Sequence, residues 1–341
     1  MATAEKNSLD LLRLVAAIFV LYSHQHALLG QAEPTFFGWN TYGGVGVTIF
    51  FFLSGMLVWT SWARDPHWGR FFMRRSLRIF PALWVVVLGT AFVLGPVFST
   101  LSVADYFADP ETWRYLSTAM MLIRHTLPGV FSDNPFPQAV NGSLWTLPVE
   151  FLCYISVAVL GSVKFMPKGI AVALCLLLTV LLASVAPLIT GVSFSLHFEM
   201  VAMFWMGAMY GFCRQRLRDT GPTAWLTLAI GLAAFLAFLV LGPRGAERTA
   251  MLVAAAALVH LALRVPAGAK LTDRMGDLSY GVYIFAFPVQ QIVAHCGQGR
   301  GWSFGSSLAL SLVATGGLAL VSWHLVEKQA LRFKPQGRAA S

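Results

Sequence analysis

The chain has 341 residues, of which 57% are hydrophobic and only 11% charged, whereas soluble domains carry roughly 25% charge. A soluble globular protein is thereby excluded, since such a chain has too little polar surface to present to water. The net charge of +9 raises nucleic acid as a partner, but the placement of the basic residues argues for membrane topology and against nucleic acid.

A bilayer core needs about 20 apolar residues per helix. Runs of that kind fall near 8–29, 42–62, 79–99, 143–163, 169–188, 196–213, 223–241, 249–264, 278–296 and 305–326. They predict an all-α polytopic membrane protein with about ten transmembrane helices, built as a single domain over 1–341 with no fused extracytoplasmic domain. The first run is not a signal peptide: it is too long, contains Asp10, Arg13 and His24, and lacks a small-residue cleavage site. Most Lys and Arg fall on one side of this topology, in the segments 63–78, 164–168, 214–218, 264–274 and 328–338. The opposite loops hold only Arg114, Arg124, Arg244, Arg248 and Arg300. By the positive-inside rule both termini are cytoplasmic. The longest outer segment, 100–142, is expected to hold a short interfacial helix around 113–124. Cys153, Cys175, Cys213 and Cys296 are scattered through apolar spans without metal-ligand spacing, so they read as packing residues and no metal is expected.

Ionisable groups inside lipid are expensive and are therefore candidates for function. In the first span Asp10, Arg13 and His24 share one helix face, with Arg13 and His24 about 16 Å apart along the axis. The bland alternatives are an Arg13 anchor paired with Asp10 and a satisfied histidine at the helix end. The segment Gly43-Gly-Val-Gly-Val-Thr-Ile-Phe-Phe-Phe-Leu-Ser54-Gly55 suits close helix packing. In Arg74-Arg75-Ser-Leu-Arg78-Ile-Phe-Pro81, Arg75 and Arg78 lie three residues apart on one face, which suits a grip on phosphate as well as a headgroup anchor. Glu150 lies about two turns into an apolar helix that begins near Ser143 and Trp145. It needs a partner: nearby hydroxyls could satisfy it, or in the outer half of the membrane it could orient His24. His197, Glu199, Tyr280, Tyr283, Gln290 and Gln291 are fainter candidates, each also readable as core packing.

These segments, in this order, resemble acyltransferase family 3, bacterial membrane enzymes that acylate surface glycans. The similar features are Leu9-Asp10-Leu-Leu-Arg13 through Ser23-His24, then Gly44-Val-Gly-Val through Gly55, then Arg74-Arg75-Ser-Leu-Arg78-Ile-Phe-Pro81. Trp145-Thr-Leu-Pro-Val-Glu150 through Tyr154, Leu278-Ser-Tyr280-Gly-Val-Tyr283 and Ser322-Trp323 through Lys328 follow. The chain departs from the pattern at Ala286-Phe-Pro288-Val-Gln-Gln291, where many members carry a His before the proline, a form seen in a succinoglycan-acetyltransferase-like branch. Gln329 also stands where a proline often follows Glu-Lys.

The resemblance implies a bacterial inner-membrane O-acyltransferase with acetyl-CoA or another acyl-CoA as cosubstrate. Its acceptor would be a saccharide or lipid-linked glycan, amid membrane lipids. His24 and Glu150 would be catalytic, as a general base or an acyl-His relay. Arg13, Arg75 and Arg78 would bind the cosubstrate, and Asp10, Ser143, Trp145 and Tyr283 the substrate. A small-molecule acyltransferase and a transporter or flippase of a glycan precursor remain as alternatives.

Overall fold

The computed structural model describes residues 8–38, 40–137, 139–190, 195–216, 227, 229–233, 236, 240, 245–265 and 275–335. Helix α1 is Leu9–Leu28 and α2 is Tyr42–Arg64, with a short hairpin of Thr35–Phe36 and Asn40–Thr41 between them. Thr41 caps α2 by accepting from the Gly44 amide, as an N-cap threonine does. Helix α3, Trp68–Gly89, continues through a π turn at Thr90–Leu94 to Phe98. Two short helices, α4 Val103–Ala108 and α5 Pro110–Arg114, follow. The remaining helices are α6 Thr146–Ser162, α7 Lys168–Thr190, α8 Ser195–Arg216, α9 Gly245–Arg264, α10 Ser279–Gly297 and α11 Phe304–Ser322. A π turn, Trp323–Glu327, and a last helical turn to Leu331 extend α11.

Five of these helical stretches are long and apolar enough to cross a bilayer: Leu9–Leu28, Tyr42–Arg64, Trp68–Phe98, Ser143–Ser162 and Phe304–Leu331. Of the apolar run at 223–241, residues 227, 229–233, 236 and 240 are described and the rest lie outside the described residues.

Helix α2 sits at the centre, and its small residues let two helices close on its backbone. At Gly46 a Cβ would strike the Ala16 carbonyl and Val20, and at Gly43 it would meet Ser23. On another face Gly55 abuts the backbone of Phe204 on α8, and Gly207 of α8 abuts the backbone of Phe52. The glycines expected to serve packing do so. They also fix the vertical scale: α1 and α2 run antiparallel with Ser23 level with Gly43, so Ser54, eleven residues further along α2, lies about 16 Å towards the Arg13 end.

The span expected from 79 begins earlier: α3 starts at Trp68, takes in most of the basic segment as its first turns and continues through Pro81. The helix tolerates its basic face because acidic groups meet it there. The short helix expected around 113–124 is met in part, by α5 and the 3₁₀ turn Tyr115–Met120 that continues it, with α4 before them. Ser102 caps α4, Asp109 caps α5 with Pro110 in its first turn, and Met121 at φ 64° ends the 3₁₀ turn. Pro at the first helical position supports a new start there.

Candidate active site

At the Arg13 end of the bundle lies a cavity of about 400 Å³, lined by side chains of α1, α2, α3, α6 and α10 and by the tail beyond α11. Its polar wall is an ion network. Asp277 bonds Arg78 at 2.5 Å and stands 3.6 Å from Arg13, which also pairs with Asp10 at 2.9 Å. The second acid on Arg78 is Glu327, 3.8 Å away and only 2% exposed. Two local features deliver these acids. Gly276 takes φ +85° with its Cα face against the Trp323 indole, a conformation that favours glycine. The π turn at Trp323–Glu327 turns Glu327 inward, where Ser322 donates to it. Burial alone would raise the Asp277 carboxyl, but Arg78, Arg13 and two hydrogen bonds from Ser279 outweigh it and hold the group below its ordinary range.

Arg74 pairs with Asp65 at 2.8 Å, in the turn between α2 and α3. Arg75 is different. It donates to Ser61 at 3.2 Å and lies over the Phe71 and Tyr154 rings, each 5.9 Å away. Among the described residues no carboxylate comes within ion-pair distance of it, and its Nε is buried without a partner.

Deeper in the cavity Glu150 accepts from Ser54 at 2.8 Å and from Tyr154 at 2.5 Å. Tyr283 shares a 2.8 Å bond with Thr146 and reaches the Ser143 carbonyl at 2.9 Å. One turn further along α10, Phe287 lies edge-on to the His24 ring, with centroids 5.2 Å apart. Nδ1 of His24 is buried and has no hydrogen-bond partner.

The expected pairing of His24 with Glu150 is therefore corrected. Glu150 descends with α6 to the level of Ser54 and Arg13, about 16 Å from the His24 level, where two hydroxyls engage it. The carboxylate at the His24 end is Glu33, which accepts from Ser23, the neighbour of His24, and whose charge acts on the His24 ring. Of the expected substrate residues, Asp10 and Tyr283 line the cavity. Ser143 is buried beside it with its hydroxyl unpaired, and Trp145 turns instead to the His197 ring at 5.0 Å. The position of the missing ninth-span histidine is Phe287, whose ring lies against His24, and the two glutamines beyond Pro288 tie the helix to its neighbours. Gln290 donates to the Leu21 carbonyl and to Gln25, while Gln291 donates to the carbonyls of Phe136 and Ala139 and accepts from Asn134. Ser54, Tyr154 and Glu327 entered the sequence reading only as parts of the family motifs, with no role given to them, and Asp277 and Lys334 are cavity residues it did not single out. Asp277 and Glu327 are acids beside apolar spans, and that was the available signal.

Residues 6–326 match the acyltransferase domain of family 3. The chain belongs to acyltransferase family 3. Among similar proteins of this family, the O-acetyl transferase of Shigella phage Sf6 is 33% identical over 96% of both chains. Nodulation protein 10 of Rhizobium leguminosarum bv. viciae is 26% identical over 98% of this chain and 95% of its own. No solved structure matches the chain significantly. Family 3 membership makes the protein an acyltransferase and accords with its apolar helices as a membrane protein.

Proposed function

We propose that this family 3 enzyme transfers an acyl group, most simply acetyl, from acyl-CoA to a sugar hydroxyl of an exported polysaccharide or glycolipid. The relative from phage Sf6 carries the name O-acetyl transferase, which supports the acetyl group and the oxygen linkage. The single observation that carries the reading is the cavity with its cationic end at Arg13, Arg75 and Arg78, lying on the helix that presents His24 about 16 Å away. Such a span suits an elongated donor with phosphates at one end and a thioester at the other.

The distribution of Lys and Arg supports ten spans in the bacterial inner membrane with both termini cytoplasmic. The cationic end then faces the cytoplasm, where acyl-CoA is made, and His24 faces outward. Arg13, Arg75 and Arg78 form the cationic wall at the end of the cavity where the phosphates of the donor dock. Glu150, held by Ser54 and Tyr154 beside the arginines, shapes the middle of the path along with Asp10 and Tyr283. His24 takes the proton of the incoming hydroxyl as its oxygen attacks the thioester carbonyl. The carbon–sulfur bond breaks, and the departing thiolate takes up a proton.

The test is acetyl-CoA consumption and transfer to glycan acceptors by the protein in liposomes. His24→Ala is expected to stay folded and to lose roughly 10²- to 10⁴-fold in kcat, the usual worth of a general base. A folded His24→Ala protein with wild-type turnover removes the assignment.

A further inference from the structure

Resting on the donor reading above, we propose that Lys334, together with Arg75, grips the phosphates of the acyl donor, while Arg13 and Arg78 mainly build the wall. The argument is one of charge balance. Arg13 and Arg78 share Asp277 and are further neutralised by Asp10 and Glu327. Arg74 is taken by Asp65. Arg75 and Lys334 line the same cavity, and neither has a carboxylate within ion-pair distance among the described residues.

Lys334 is on the segment that follows the last turn of α11, outside the spans, with its side chain at the cavity rim. Partial burial and the nearby Arg78 and Arg75 push its ammonium below the ordinary range, with Asp277 offsetting only part. A lysine held among arginines repels them unless an anion joins the group. A phosphate there gives Arg75 a donor-rich partner and gives Lys334 a point-charge contact. Anionic lipid headgroups carry the same chemistry, so the test must separate the two sources.

The experiment compares acetyl-CoA with S-acetylpantetheine, the same thioester without the phosphates. In liposomes, kcat/KM is measured for wild type, Lys334→Ala, Lys334→Arg and Arg75→Ala with both donors. The preference of wild type for acetyl-CoA is expected to fall roughly 5- to 10-fold in Lys334→Ala and roughly 10- to 100-fold in Arg75→Ala, and to return in Lys334→Arg. Loss of folding or of a general structural contact lowers both donors together and leaves the ratio unchanged, which overturns the proposal. So does a ratio that the substitutions leave unchanged while the activity of the variants depends on the anionic lipid content of the liposomes, since the phosphate is then a headgroup. A wild-type protein inert towards both donors with glycan acceptors present removes the donor reading itself.

Discussion

Asp65 shows how a single residue governs the basic face of α3. It accepts from Arg70 at 2.5 and 2.9 Å and from Arg74 at 2.8 Å. The hydrogen bonds from Arg70, then those from Arg74, hold its carboxyl well below the ordinary range. A carboxyl depressed on folding stabilises the fold fully above its unfolded pKa, and that contribution is lost as pH falls towards the folded value. The stability gap between wild type and Asp65→Asn, read by thermal unfolding in detergent, should therefore stay constant from pH 8 to about 5 and narrow below about 4. A gap that widens in acid contradicts this sign. At the same scale, Asp277 is the residue on which the cationic wall depends, since removing one member of a buried ion cluster leaves its partners uncompensated.

At the scale of elements, the seam between α2 and α8 decides the packing. Gly55 and Gly207 each lie against backbone of the opposite helix, so a methyl group has no flexible side chain to displace. Gly55→Ala is expected to cost at least about 2 kcal/mol, the range for forced overpacking. Gly316 on α11 has open space around its Cα, and Gly316→Ala should fall within about 1 kcal/mol of wild type, on the stabilising side. Thermal unfolding of the two variants in one detergent separates a packing glycine from an incidental one. The loop before α6 is tied down in another way. Asn134 donates to Gln291, and Asn141 donates to the Ile284 carbonyl, which straps Asn134 and Asn141 onto α10 beside Phe287 and His24.

At the scale of the whole molecule, the functional reading requires a vectorial protein with its arginine end inside and its histidine end outside. Phe37 in the hairpin after α1 is 77% exposed and Phe333 after α11 is 71% exposed. In a background with Cys153, Cys175, Cys213 and Cys296 replaced by alanine, Phe37→Cys is expected to react with a membrane-impermeant maleimide in intact spheroplasts. Phe333→Cys should react only after permeabilisation. The reverse pattern overturns the orientation and, with it, a cytoplasmic donor.

By itself the sequence determined the class of fold and much of the site's inventory. Low charge and long apolar runs leave helices as the way to satisfy backbone groups in lipid. Asp10 and Arg13 on one helix face, and Arg75 and Arg78 on another, read out through the helical repeat, and the structure brings all four to one cavity. The tertiary structure alone decided partnership across the chain. Glu150 was expected beside His24 because both were counted from the outer surface, but helix depth is set by packing against α2, and Ser54 and Tyr154 meet it well below. Asp277, Glu327 and Lys334 reach Arg13, Arg75 and Arg78 from more than 180 residues away in sequence. No periodicity encodes such a meeting; it comes from glycine-fitted helix contacts and from the two turns, at Gly276 and at Trp323–Glu327, that direct acids towards buried arginines.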